Sequence, residues 1–185
     1  MRIVAGKFKG ASVEAPKGLS TRPTSDRVRQ ALFNVLEHGP PRFDLEGARV
    51  LDLFAGSGAL GIEAMSRGAA SAVFVERDPD AVRTIERNLD RLRLIGARVV
   101  HGDALRTIAE EAIAGAKYDL VLVDPPYGML TEIQPRLACH LPPLLAPDGV
   151  LVVETDARAE PELPLPVRTS RRYGQTRVTL FEAPQ

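Results

Sequence analysis

Between Arg49 and Glu154, short apolar runs alternate with amphipathic stretches, and this alternation constrains the fold more than any other feature of the chain. Strands are predicted over 49–53, 72–76, 97–101, 119–123 and 150–154, with helices over 59–67, 80–94, 104–114 and 131–145 between them. In the second helix Val82, Ile85, Leu89 and Leu92 recur at the spacing of one helical face. Strand–helix alternation implies a parallel sheet covered on both faces, because each crossover packs its helix back onto the sheet. Pro135 and Pro142-Pro143 should shorten or kink the last of these helices. Residues 167–173 and 176–182 flank Gly174-Gln175 and read as a closing antiparallel hairpin.

The first forty residues stand outside that alternation. Residues 2–5 and 11–14 read as two short strands joined by the glycine-bounded, basic loop Gly6-Lys7-Phe8-Lys9-Gly10. A helix follows, with Val28, Leu32, Val35 and Leu36 on one face and Thr24 or Ser25 as its cap. Gly39-Pro40-Pro41 ends it. At 185 residues, 44% of them hydrophobic, one α/β domain is expected. Residues 1–40 would form an N-terminal extension of that domain and residues 41–185 its core.

Several classes are excluded by composition. No stretch approaches the roughly 20 apolar residues of a membrane span, and Met1–Gly6 has no signal-peptide pattern. Cytoplasmic residence is therefore expected. Cys139 is the only cysteine, and His38, His101 and His140 lack metal-ligand spacing, so no metal site is expected. No heptad or apolar stripe points to an oligomer, and a monomer is the default. The net charge of zero hides an asymmetry. Residues 1–36 carry seven basic side chains (Arg2, Lys7, Lys9, Lys17, Arg22, Arg27 and Arg29) against Glu14 and Asp26. Residues 166–185 carry Arg168, Arg171, Arg172 and Arg177 against Glu182. Basic ends around an acidic centre suit a polyanion partner, although solvated surface charge would give the same pattern.

The first strand of the alternating unit runs into Asp52-Leu53-Phe54-Ala55-Gly56-Ser57-Gly58-Ala59-Leu60-Gly61, a Gly-x-Gly-x-x-Gly loop that opens a helix. Glu76 ends the next strand, where such folds bind ribose hydroxyls. The same pattern serves dinucleotides, but Asp52 in the loop approach would repel a pyrophosphate and attract an ammonium group. Asp103, beside Ala104 at the end of the third strand, is placed to accept from an adenine amine. Three acids at three successive strand ends match S-adenosylmethionine, which carries a cation, an amino acid, a ribose and an adenine. Phe54, Gly56, Gly58 and Ala104 complete the predicted cofactor contacts.

At the end of the fourth strand stands Asp124-Pro125-Pro126-Tyr127. Two consecutive prolines fix the backbone and remove two N–H donors. A carboxylate, a carbonyl and a flat ring suit a planar base with an exocyclic amine; alone, the same residues are equally a proline-rich turn.

With these residues assembled, the chain resembles the bacterial 16S ribosomal RNA guanine-N2 methyltransferase family, within the class I S-adenosylmethionine-dependent methyltransferases. The resemblance covers nearly the whole chain: residues 2–10, 22–29 and 32–34, the glycine loop, residues 74–76, Gly102-Asp103, 124–127 and Tyr173-Gly174. The glycine loop and residues 124–127 are generic to amino methyltransferases; the N-terminal loop and residues 22–29 are the specific part. Two departures are Tyr127, where the family commonly has Phe, and Ala5, where it has a second Gly.

The resemblance implies a Rossmann-like, mostly parallel sheet of seven strands with the last antiparallel, and methylation of a guanine N2 in 16S ribosomal RNA, the family target being guanine 966. Asp124 and the Pro125 carbonyl would hold the amine and Tyr127 would stack on the base or pack under the loop. The proton would leave to Asp124 or to water. Lys7, Lys9, Arg22, Arg27, Arg29, Arg171 and Arg172 would contact RNA phosphates, while Arg22 and Thr24 are equally suited to closing over the cofactor. The closest rival reading is an N6-adenine methyltransferase acting on DNA or RNA.

Overall fold

A computed structural model describes residues 1–16, 26–126 and 128–184. Seven strands form one sheet in the order β3-β2-β1-β4-β5-β7-β6. Strands β1 (Arg49–Leu53), β2 (Ser71–Glu76), β3 (Ala97–His101), β4 (Tyr118–Val123) and β5 (Leu145–Asp156) are parallel, and β7 (Thr176–Glu182) runs antiparallel between β5 and β6 (Val167–Tyr173). The order reverses between β1 and β4, which opens a crevice above their carboxyl ends.

Period-two alternation sorts the sheet residues onto two layers. Val50, Phe74, Leu120, Leu122, Val150 and Val152 pack under α1 (Asp26–His38), α2 (Ala59–Ser66) and α3 (Pro79–Leu92). Leu51, Leu53, Val75, Val121, Val123, Leu151 and Val153 face α4 (Ala104–Ile113) and α5 (Leu130–His140). Both sides of the central strands are thus apolar, as expected of a parallel sheet buried on both faces. Pro135 sits inside α5, which ends at His140; a short 3-10 turn, Pro142–Leu144, then leads into a β5 that starts five residues earlier than expected.

The N-terminal segments pair as a hairpin, over a shorter span than expected: around the antiparallel Arg2–Ser12 bridge, the amide of Ile3 donates to the carbonyl of Ala11, that of Val13 to Met1 and that of Gly10 back to Ile3. The rest of the segment is held by α2. The amides of Val4 and Ala5 donate to the carboxylate of Glu63 at 2.8 and 3.0 Å, and those of Lys7 and Phe8 donate to the carbonyl and hydroxyl of Ser66. The Val4 amide points away from the paired segment, because Ile3 already bonds that segment, and so ties the hairpin to α2. Gly6 makes the approach possible: its φ is 77°, and a Cβ there would lie 1.8 Å from the Ser66 carbonyl oxygen. Further along, the amide of Glu14 donates to Asn88, which in turn donates to the carbonyls of Glu14 and Ser57. Ile3 and Val13 belong to the same core as α1, α2 and α3, so the extension is built into the domain.

Glu63 is fully buried and also meets two arginines, Arg29 at 3.4 Å and Arg67 at 2.8 Å. Arg29 departs from its expected role at the surface. Its side chain is buried, paired with Glu63 and Asp26 and donating to the carbonyl of Arg2, so it has no face to offer a phosphate. The expected helix caps Thr24 and Ser25 lie outside the described residues.

Candidate cofactor and base site

The carboxyl ends of β1, β2, β4 and β5 and the loop after β3 surround a cleft of about 520 Å³, a size suited to a small cofactor. The chain enters it from β1 through a strained turn. Phe54 lies at φ 60°, a left-handed conformation that is unusual for a bulky side chain, and costs on the order of 1–3 kcal/mol. Such strain concentrates at ligand sites. The amide of Ala55 donates to the Val75 carbonyl and that of Gly56 to Glu76 at 2.9 Å, which ties the loop to β2. Gly58 caps α2 without a side chain.

Each of the five parallel strands delivers a carboxylate to this cleft: Asp52 from β1, Glu76 from β2, Asp103 just beyond β3, Asp124 from the end of β4 and Glu154 from β5. Asp52 is 1% exposed and accepts the amide of Gly61 at 2.9 Å. Burial pushes its carboxyl up to about 7; the Gly61 bond opposes this, and the nearby charges of Asp124 and Glu76 add to it. Gly61 has no alternative at its position, since a Cβ would stand 2.4 Å from the Phe74 ring and 3.0 Å from the Asp52 carboxylate. Glu76 accepts from Gly56, Arg77 and Asp78. Three of its roughly four lone-pair positions are thereby used, leaving one for a hydroxyl donor. Asp103 caps α4 through the amide of Arg106 and is exposed at the mouth of the cleft, beside buried Ala104.

Asp124, Pro125 and Pro126 line the same cleft, across from the glycine loop. The Pro126 carbonyl accepts from Met129 at 3.1 Å, whereas among the described residues no bond to the Pro125 carbonyl is found. Tyr127 lies outside the described residues. Sequence reasoning missed Glu154, Glu132, Asp78 and Ile133, which also line the cleft. Glu154 ends an apolar run and carried no motif; the others sit on or beside helices whose placement over the cleft is a tertiary matter.

The predicted basic residues are dispersed. Tyr173 and Thr176 flank the β6–β7 turn beside Asp156, on the cleft edge of the sheet, and Arg171 and Arg172 are exposed just before it. Arg172 lies 4.0 Å from Glu160. Arg168, at the start of β6, donates to the carbonyl of Gly39 after α1. The first turn of α1, with exposed Arg27, therefore points back towards the cleft edge. Lys7 and Lys9 are exposed but sit at Ser66, the far end of α2 from the glycine loop, roughly 12 Å along the helix. Arg22 lies outside the described residues.

Comparison with known proteins agrees with this architecture. A family model described as conserved hypothetical protein 95 matches residues 1–182. A Bacillus subtilis protein named "Putative rRNA methyltransferase YlbH" is 39% identical over 98% of both chains. Ribosomal RNA small subunit methyltransferase D of Haemophilus influenzae is 33% identical over 84% of this chain and 79% of its own. Among solved structures, a hypothetical protein of Thermus thermophilus superposes with a TM-score of 0.83 at 37% identity, covering 99% of each chain. The chain therefore belongs to the conserved hypothetical protein 95 family, together with relatives named ribosomal RNA small subunit methyltransferase D.

Proposed function

We propose that this protein transfers a methyl group from S-adenosylmethionine to the exocyclic N2 amine of a guanine in 16S ribosomal RNA, guanine 966 being the first site to examine. The observation that carries this reading is the row of five carboxylates along one cleft. Among the described residues, Arg77 is the only Lys or Arg lining it, and its side chain is exposed. A site so negative repels a pyrophosphate: two like charges 4 Å apart near a protein surface oppose each other by about 4 kcal/mol. It favours a ligand with a cationic sulfonium, an ammonium group, ribose hydroxyls and amino hydrogens. Asp52 and the loop backbone suit the amino-acid end, Glu76 the ribose, and Asp103 with Ala104 the base.

When bound, the cofactor supplies an electrophilic methyl group. The protein's own contribution is to hold the amine. Guanine N2 is a weak nucleophile because its lone pair is delocalised into the ring. Asp124 and the Pro125 carbonyl accept its two hydrogens, which returns electron density to nitrogen and fixes its direction. Positioning of this kind, with carboxylate stabilisation of the charge that develops on nitrogen, accounts for the rate. Tyr127 stacks on a base drawn out of its helix or loop. Arg27, Arg171 and Arg172 bind phosphates at the cleft edge and Lys7 and Lys9 at the other end of α2, giving residues 1–40 an RNA-facing role. These contacts position the RNA without reading its sequence. Such a substrate implies a cytoplasmic protein.

The names of the relatives support ribosomal RNA as the substrate. The test is transfer of labelled methyl from S-adenosylmethionine to small-subunit RNA or particles from cells lacking this protein, followed by nucleoside analysis. N2-methylguanosine at one position is the expected product. N6-methyladenosine would instead establish the rival adenine reading, and no transfer to either substrate would refute both.

A further inference from the structure

Glu154 adds to the negative charge of the cleft but has been given no contact of its own, and it stands beside Asp124. Val123 and Val153 are register partners on β4 and β5, and the two acids follow them, Asp124 just past the end of β4 and Glu154 within β5. Adjacent strands lie about 4.8 Å apart, so the acids reach the cleft at the same height. Val123 and Val153 face the α4–α5 layer. Alternation therefore directs both acids to the other side, the side from which Asp52 also lines the cleft. Glu154 is 6% exposed. Taking a carboxylate out of water is costly, and Glu154 bears that cost at the wall of the cleft.

We propose that Glu154 reads the Watson–Crick edge of the target base, accepting the N1–H of guanine while Asp124 accepts from the N2 amine. The proposal rests on the guanine-N2 reading. Guanine presents two adjacent donors on this edge, N1–H and the 2-amine, and two adjacent carboxylates match them. Adenine presents a lone pair at N1, which a carboxylate repels. The second acid thus supplies both an attraction to guanine and a penalty against adenine.

The test replaces the methylated guanine of a small-subunit RNA by 2-aminopurine, which keeps the 2-amine and lacks N1–H. Wild-type kcat/KM should fall by roughly 10- to 100-fold, the worth of one well-placed base contact. In Glu154→Gln the side-chain amide can donate to the bare N1, and the preference should shrink to less than about threefold. Affinity for S-adenosylhomocysteine should stay within about threefold of wild type. A wild-type ratio near one overturns the proposal without any variant. An equal loss on both bases in the variant, or a loss of cofactor affinity that accounts for it, also overturns it by making Glu154 a structural or cofactor residue. Failure of the underlying reading is separable: the wild-type enzyme would then form no N2-methylguanosine on unmodified RNA.

Discussion

Asp52 should hold the protein below its maximal stability, and Asp52→Asn should reveal by how much. The carboxyl goes from an ordinary value of 3.8 to about 7 on folding, chiefly because burial disfavours its charge. A shift of about three units corresponds to on the order of 4 kcal/mol. Because the folded-state value is raised, the folded protein binds the extra proton between about pH 4 and pH 7. Wild-type stability should therefore fall with rising pH through that window, by about 1.4 kcal/mol per unit from this group, and level off above it. Asparagine keeps an oxygen for the Gly61 amide and carries no charge. The variant should equal wild type near pH 4 and exceed it by on the order of 4 kcal/mol at pH 8. Urea unfolding of both proteins at several pH values measures the difference directly. Cofactor titration on the same samples should show the converse: wild-type affinity for the sulfonium cofactor rises up to about pH 7, and the variant binds weakly and without that slope. A difference in stability that does not change with pH would refute the argument, since it would mean that Asp52 is not held against its charge.

Three further outcomes follow from the geometry. Asp124→Asn should lower methyl transfer by about 10²- to 10³-fold, the usual loss for one preorganised electrostatic interaction, with cofactor affinity kept within a few-fold, as single-turnover assays and calorimetry would show. Glu63→Ala should cost about 3–5 kcal/mol in urea unfolding, because it takes from Arg29 and Arg67 their shared, fully buried carboxylate. Replacing Arg171 and Arg172 by Ala should flatten the dependence of RNA affinity on salt by about 0.7 in log–log slope for each phosphate no longer neutralised; filter binding at several salt concentrations would measure it, and an unchanged slope would remove them from the interface.

The parallel sheet was legible because the apolar runs at 49–53, 72–76, 97–101, 119–123 and 150–154 carry their own periodicity, and each became a strand within a few residues. The acids Asp52, Glu76, Asp103 and Asp124 were legible for a related reason: strand ends converge on one edge in this architecture, so position along the chain translates into position in space. What failed depended on contacts between distant residues. The N-terminal hairpin forms over a shorter span than its sequence suggests, because from Val4 on the amides turn to Glu63, 58 and 59 residues away. Arg29 sits in a charged helix turn that reads as surface, and its burial rests on the same distant glutamate together with Asp26 and the Arg2 carbonyl. Glu154 closes an apolar strand with no motif around it, and its meaning comes from standing next to Asp124 in the sheet.

The anchoring of the first residues on α2 and α3 has a consequence for how the chain is made. Residues 4–8 need Glu63 and Ser66, and residues 12–14 need Asn88 and Arg91. None of these partners exists when the N-terminal segment leaves the ribosome. At 5–20 residues per second, the roughly 75 residues separating the two take about 4–15 s to synthesise. Until those partners are made, Ile3 and Val13 have no complete core to pack into. Docking of this segment is therefore a late event in biogenesis.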